Sequence, residues 1–175
     1  MTFTVKMIDL GPAGPTAWKN IIADLIQSPV LRAPEVIVGA VWGKPADIWS
    51  LRCLVYELAM GEFLISHTVD EMSVPYLRAI FLGPHPRTLK KDGKCSHMFF
   101  KDDGSQLHPQ SERYPLADTI RRRWPPGDSD TEGLVQFLDF MLRLDSGERA
   151  TLQTLLEQGR SLRQIKDQTI LFEAH

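Results

Sequence analysis

A nearly continuous run of apolar residues predicts a buried helix near the middle of the sequence. Between Ala46 and Met60 the apolar positions cover most of the circumference of a helix rather than a single stripe, and such a helix belongs in the middle of a domain. Pro45 precedes the run and Gly61 follows it, as is common at helix starts and ends. We therefore expect a central helix over 46–60.

Weaker apolar patterns predict three further helices. They cover residues 69–81, 132–144 and 151–158, the last of them capped by Thr151. Between the first two, residues 84–116 are polar, rich in Lys, Asp and Gly, and without a clear period. This pattern favours an extended insert there.

The N-terminal third is predicted to contain little regular structure. Residues 3–8 combine β-branched and long apolar side chains, which favours a short strand that ends at Asp9. From Gly11 to Pro34, prolines and glycines leave room for one short helix over 18–26, so most of the segment is expected to be loop.

Composition and charge exclude several classes of function. The formal net charge of -2 gives no electrostatic reason to expect nucleic acid or an anionic membrane as a partner. Two cysteines do not make a disulfide framework, and the sequence has no apolar run long enough to span a bilayer. We expect an intracellular protein, cytoplasmic or nuclear.

Several short motifs resemble the C-terminal lobe of a eukaryotic protein kinase in their order and spacing. They are Asp-Leu-Gly at 9–11, Ala-Pro-Glu at 33–35, and then "ADIWSL", "VYELAMG", "LGPHP" and "MLRLDSGERAT". Each piece alone is a weak signal, but the ordered set is specific. Within kinases, "IQSPVLRAPEVIVG" and "MFFKDDGSQL" look most like the SR-protein kinase family of the CMGC group.

The resemblance implies a mainly α fold. Residues 1–158 would form a partial kinase domain, that is, a C-lobe with a short N-terminal strand and with the N-lobe and catalytic loop absent. The insert would cover about 84–116, and residues 159–175 would form a divergent tail.

The resemblance also implies roles for residues of an activation segment over 9–35. Asp9 would be the magnesium-binding residue of the D-F-G-type motif, with Gly11 closing that motif. Ser28 to Arg32 would lie where the residue flanking the phosphorylation site of a substrate is read. A single carboxylate makes a poor magnesium site, so Asp9 in this chain is either a weak metal ligand or a turn-capping residue.

Other kinase positions are expected to be structural. Ala33, Pro34 and Glu35 would end the activation segment, and Glu35 would form an ion pair with Arg149. Asp47 would accept hydrogen bonds from the backbone of the catalytic loop.

The catalytic parts of a kinase are not found in these 175 residues. There is no H-R-D-x-x-x-x-N loop, no Gly-rich phosphate loop and no V-A-I-K lysine, so we assign no catalytic residue. We expect this chain to be a fragment of a kinase that uses ATP and magnesium to phosphorylate protein, with Arg/Ser-rich protein as one candidate substrate. The fragment alone is expected to be inactive and to bind no cofactor tightly. The alternative is a non-catalytic interaction module, and in either case a chaperone or partner would cover the exposed N-lobe face.

Two arginine features remain open at the level of sequence. Arg52 stands where the family has Gly, and a long charged side chain on a buried helix needs a polar outlet. The run Arg121-Arg122-Arg123 before Trp124 is either a partner-binding patch or a solvated turn.

Overall fold

A computed structural model describes residues 26–108, 112–123 and 129–157. Within these ranges the regular structure is helical, and the one β-type contact is an isolated antiparallel bridge between Phe100 and Gln106. The mainly α prediction agrees with this structure. The strand predicted at 3–8 and the short helix predicted at 18–26 lie outside the described residues.

Seven helices occur in the described ranges. In chain order they are α1 (Pro34–Ile37), α2 (Lys44–Met60), α3 (Val74–Leu82), α4 (Arg87–Asp92), α5 (Leu116–Arg123), α6 (Ser129–Met141) and α7 (152–157). Two short 3-10 helices, Glu71–Ser73 and Ser96–Met98, precede α3 and follow α4. None of these helices is long and apolar enough to cross a membrane.

Helix α2 is the centre of the fold, as the sequence predicts. It ends at Gly61, whose φ of 72° is the left-handed conformation that glycine adopts without strain. Trp49 at its middle is fully buried in the main hydrophobic core, which also holds residues of α5 and α6 such as Ile120 and Leu138.

One face of α2 is exposed, although its sequence predicts burial on nearly all sides. Leu51, Leu54 and Leu58 are 42%, 45% and 76% exposed, and their spacing puts them on one face of the helix. The prediction was wrong for this face because the sequence of a helix records its apolar residues but not which neighbours cover them. We call these three residues the leucine stripe.

The other predicted helices exist, with shifted ends. Helix α3 begins at Val74 rather than at residue 69, because the carboxylate of Asp70 accepts a hydrogen bond from the Met72 backbone (3.1 Å) and caps a separate 3-10 helix. Helix α6 lies three residues earlier than expected at both ends. The Thr151 cap is confirmed, since its hydroxyl accepts a hydrogen bond from the Thr154 backbone at 3.2 Å.

The segment predicted to be an extended insert, 84–116, is not extended, and this prediction was wrong. It contains α4, and Leu89, Phe99 and Phe100 are buried in a second core cluster with residues of the α1 region. The backbone N–H of Cys95 donates to the Val38 carbonyl (2.8 Å) and ties the insert to α1. Its apolar residues enter the core from the short helix α4 and from the end of the 3-10 helix after it, and such short elements leave no clear period in the sequence.

Close backbone packing holds the insert in place. A Cβ atom at Gly93 would lie 2.3 Å from the Val38 carbonyl oxygen, so only glycine allows this approach. The hydroxyl of Ser96 donates to the Leu89 carbonyl at 2.7 Å and connects the turn after α4 to that helix. The insert is therefore part of the folded domain.

Buried His85 is expected to make stability depend on pH. Its Nε2 lies 2.9 Å from the Pro75 carbonyl oxygen, and burial lowers its pKa to about 4 from the usual 6.5. Between these values the unfolded chain binds more protons than the folded one, so stability is lost as pH falls. Relative to His85→Gln, which keeps a donor, the parent should lose about 2 kcal/mol of unfolding free energy between pH 7 and pH 5.

Urea unfolding at the two pH values measures this loss. His67→Gln, at an exposed histidine, is the control and should keep the pH dependence of the parent. An unchanged pH dependence in His85→Gln would contradict the assignment.

Candidate functional site

The loop that leads into α1 is held on the start of α2 by the side chain of Gln27. Its amide nitrogen donates to the Ala46 carbonyl (2.9 Å) and to the Ser50 hydroxyl (2.8 Å), and its amide oxygen accepts from the Ala33 backbone (2.9 Å). The Ser50 hydroxyl in turn donates to the Leu31 carbonyl at 3.0 Å. Both ends of the loop are thus fastened to α2, which gives the loop a defined shape. We call residues 26–33 the fastened loop.

Arg32 fixes the same loop from its other side. Its guanidinium donates to the carbonyl oxygens of Ile26 (3.0 Å) and Gln27 (3.1 Å) and lies 3.4 Å from the carboxylate of Glu71. Gln27 has a φ of 68°, a left-handed conformation that is uncommon outside glycine. A strained backbone persists where surrounding contacts hold it, and Arg32 supplies one of them.

A buried ion pair joins the end of the loop to the C-terminal part of the domain. Arg149 Nη1 and Nη2 donate to the two carboxylate oxygens of Glu35 at 2.8 and 3.0 Å, and both side chains are almost completely buried. The same guanidinium donates to the carbonyls of Pro45 (2.6 Å) and Arg143 (3.1 Å). Two residues 114 positions apart therefore form the contact that the sequence predicts.

Trp49 packs against two buried arginines. The guanidinium carbons of Arg78 and Arg149 are 4.8 and 5.2 Å from the centre of its ring, within the range of a cation–π contact. Arg78 also donates to the Val30 carbonyl at 3.4 Å, and burial lowers its pKa to about 10. The loop, α2 and α3 thus meet around one aromatic ring.

The other predicted site residues occupy separate places. Ser28 is exposed on the loop, and its carbonyl accepts from the Leu31 backbone at 2.9 Å. Ala33 is buried and Pro34 begins α1. Asp47 lies in the first turn of α2, where desolvation raises the pKa of its carboxyl, and no other described residue hydrogen-bonds to its side chain.

Asp9 and Gly11 lie outside the described residues, so their predicted roles stay predictions. Among the described residues, no group of three or more His, Cys, Asp or Glu side chains could hold a metal ion. A rigid loop presents an exposed serine and backbone groups, and the charged side chains beneath it serve to hold it.

Sequence reasoning missed Gln27, Trp49 and Arg78. The signal for Arg78 was present, since a charged residue inside the apolar stretch "VPYLRAIFL" needs partners. Gln27 left no comparable signal, because its three contacts join backbone and side-chain groups that come together only in the folded chain.

Comparison with known proteins identifies a matching family and several related sequences. The model of the protein kinase domain family matches residues 1–159. The chain is 34% identical to the serine/threonine-protein kinase spk-1 of Caenorhabditis elegans over 87% of its own length and 16% of that protein. It is 33% identical to SKY1 of Saccharomyces cerevisiae over 83% and 20%, and 31% identical to SRPK of Physarum polycephalum over 87% and 37%.

These matches show the family. The chain belongs to the protein kinase family, and it is related to the serine/threonine kinases of the SR-protein kinase type. It spans from 16% to 37% of the length of these three relatives.

Proposed function

We propose that this chain is the substrate-side part of a serine/threonine protein kinase that phosphorylates Arg/Ser-rich protein with ATP and magnesium. The single observation that carries the proposal is the fastened loop, in which Gln27, Arg32 and the Glu35–Arg149 pair hold exposed Ser28 on α2. A kinase must hold its substrate in register with the phosphate donor, and such positioning accounts for much of the rate enhancement.

We further propose that these 175 residues alone do not phosphorylate protein. The sequence contains one candidate metal ligand of the kinase type, Asp9, and none of the phosphate-loop, lysine or H-R-D motifs. Phosphoryl transfer relies on these parts acting together, so one of them gives no useful rate. Asp9 would hold magnesium in a complete kinase, with Gly11 allowing the turn that follows.

Two experiments test these proposals, one on the chain alone and one on a chimera. Calorimetry of the chain with ATP and magnesium should show no binding tighter than about millimolar, which is the weak end of specific affinity. In the second arm, residues 1–159 replace the matching segment of yeast SKY1, and the chimera is assayed on an Arg/Ser peptide. The chimera should phosphorylate the peptide.

Matched variants make the second arm specific. Asp9→Asn should abolish the activity of the chimera, whereas Asp102→Asn, at an exposed position of the insert, should leave it unchanged. Micromolar ATP binding by the chain alone would contradict its proposed inactivity. A folded chimera without activity would contradict the proposed kinase role.

The leucine stripe favours a second candidate function, an interaction module. Leu51, Leu54 and Leu58 form an exposed apolar face on the central helix of the domain, and such faces mark protein contacts. The partner would be the remaining part of a kinase, a separate protein that lays an apolar helix face on the stripe, or a chaperone. A transcript shown to start at Met1 would favour this candidate over a kinase fragment.

We expect the leucine stripe to be a main site of hydrophobic-dye binding and aggregation on the isolated chain. We expect the double variant Leu54→Glu, Leu58→Glu to bind a hydrophobic dye more weakly than the parent and to aggregate less. Leu152→Glu, Leu156→Glu is the matched control, since these leucines of α7 are 58% and 51% exposed. Equal loss of dye binding in both double variants would argue against a special role for the stripe.

A further inference from the structure

A groove of about 680 Å³ lies in the insert, between α4 and the turn over residues 101–104. Its cationic side chains are Arg87, Lys90, Lys91 and Lys101. Arg87, Lys91 and Lys101 are exposed, so a ligand in the groove can reach their charged atoms. None of the four forms an ion pair with a described carboxylate. We call this cavity the basic groove.

Lys90 joins the two walls of the basic groove. Its side chain passes Gly104, where an added Cβ atom would lie 3.3 Å from Lys90 Cδ. Its ammonium is 5.8 Å from the centre of the Phe100 ring, within the range of a cation–π contact. The turn itself is closed by a hydrogen bond from the Gly104 backbone to the Lys101 carbonyl at 2.8 Å. Both walls are therefore in place before a ligand binds, which lowers the cost of binding.

Two carboxylates, Asp102 and Asp103, also line the basic groove. Asp103 accepts a hydrogen bond from the Ser105 backbone at 2.7 Å, and its contacts with Ser105, followed by the charges of Lys101 and Lys90, lower its pKa. Both carboxylates are exposed, so water screens their attraction for the lysines. Four cations against two carboxylates leave the groove a net charge of +2, whereas the whole chain carries -2.

The positions of the cations on α4 fit an extended acidic chain. Arg87 precedes Lys90 by three positions and Lys91 by four, and side chains at these spacings lie about 5–6 Å apart at their Cβ atoms. In an extended chain, alternate side chains lie on one side about 6.8 Å apart. Carboxylates at alternate positions can thus meet successive cations, and they would relieve the repulsion between like charges on this short helix.

Other polyanions fit the basic groove less well. Stacking of nucleic-acid bases needs an exposed aromatic face, and Phe100 in the lining is only 5% exposed. A long nucleic acid would also extend onto a chain with a net negative charge. Three of the four cations are lysines, whereas bidentate recognition of phosphate favours arginine. The groove is therefore better suited to single carboxylates.

We propose that the basic groove binds an acidic segment of a partner protein in an extended conformation, with its carboxylates on Arg87, Lys91 and Lys101. The half-buried Lys90 adds positive charge beneath them. This interaction does not depend on the proposed kinase function, because no residue of the fastened loop lines the groove.

Two fluorescein-labelled peptides are matched probes with and without the charge. One alternates Glu and Ser over eight residues, and the other has Gln in place of each Glu. Fluorescence anisotropy with the full 175-residue chain in about 50 mM salt should show that the Glu peptide binds at least about ten-fold more tightly. Raising the salt to about 300 mM should remove most of this preference, because the cations are exposed.

Variants locate the binding. The double variant Arg87→Gln, Lys91→Gln should bind the Glu peptide at least about ten-fold more weakly than the parent. Lys101→Gln, on the opposite wall, leaves α4 unchanged and should weaken binding about three-fold, so the test does not depend on how the α4 variant folds. The control Arg122→Gln, Arg123→Gln removes the same charge from exposed positions of α5 outside the groove and should bind like the parent.

Four results would overturn the proposal. They are equal binding of the two peptides, an equal loss of affinity in the α4 and α5 double variants, unchanged binding by Lys101→Gln, and stronger competition by an eight-nucleotide oligouridylate than by the unlabelled Glu peptide. The last result would identify the groove as a nucleic-acid site instead.

Discussion

Arg149→Ala is expected to lower the free energy of unfolding by about 3–5 kcal/mol, because it leaves the Glu35 carboxylate buried and unpaired. The carboxylate accepts two hydrogen bonds from Arg149, and the pair is shielded from solvent. A loss of this size is a large part of the total stability of a domain, so the variant should be barely folded at room temperature.

The two partners are not equivalent. Glu35→Ala leaves Arg149 with the carbonyl oxygens of Pro45 and Arg143 as acceptors, so its loss should be smaller than that of Arg149→Ala. Denaturant midpoints of the parent, both single variants and the double variant give the coupling energy of the pair. The double variant should lose less than the sum of the single losses.

An exposed pair on the same chain provides the control. Arg143 and Asp139 are 2.8 Å apart, and their side chains are 50% and 65% exposed. Asp139→Ala should cost only about 0–1 kcal/mol, because water screens and replaces this contact. Similar losses for the buried and the exposed pair, or no coupling between Glu35 and Arg149, would refute the assigned importance of the buried pair.

Arg52→Met is expected to change stability in the opposite direction, raising the unfolding free energy by about 1–4 kcal/mol. Burial lowers the pKa of Arg52 well below its usual value, and two of its nitrogen atoms lack acceptors among the described residues. Methionine fills a similar length without charge and adapts to irregular space.

Denaturant unfolding of the parent, Arg52→Met and Arg122→Met measures this gain. Arg122 is exposed, so its variant should stay within about 0.5 kcal/mol of the parent. A less stable Arg52→Met would mean that the guanidinium is a net stabilising group despite its burial.

The ordered motifs predicted the contact between Glu35 and Arg149 because each motif keeps its residue types and spacing along the chain. The same reasoning located α2, whose apolar run and terminal Gly61 are local features. Local signals were weaker at the ends of α3, where the Asp70 cap replaced the first helical turn with a separate 3-10 helix. Asp9 and Gly11 were predicted from motif alone, and their roles stay predictions.

The sequence by itself determined the central helix, from its apolar positions, and the resemblance to the kinase family, which in turn implied the partners of the buried ion pair. Only the tertiary structure decided that Leu51, Leu54 and Leu58 are exposed, that Leu89 and Phe100 of the insert are core residues, and that Arg52 lines a cavity. The physical reason is that an apolar residue becomes buried only when a second surface packs against it. A helix specifies its own apolar positions, but whether another segment covers them depends on how distant parts of the chain pack.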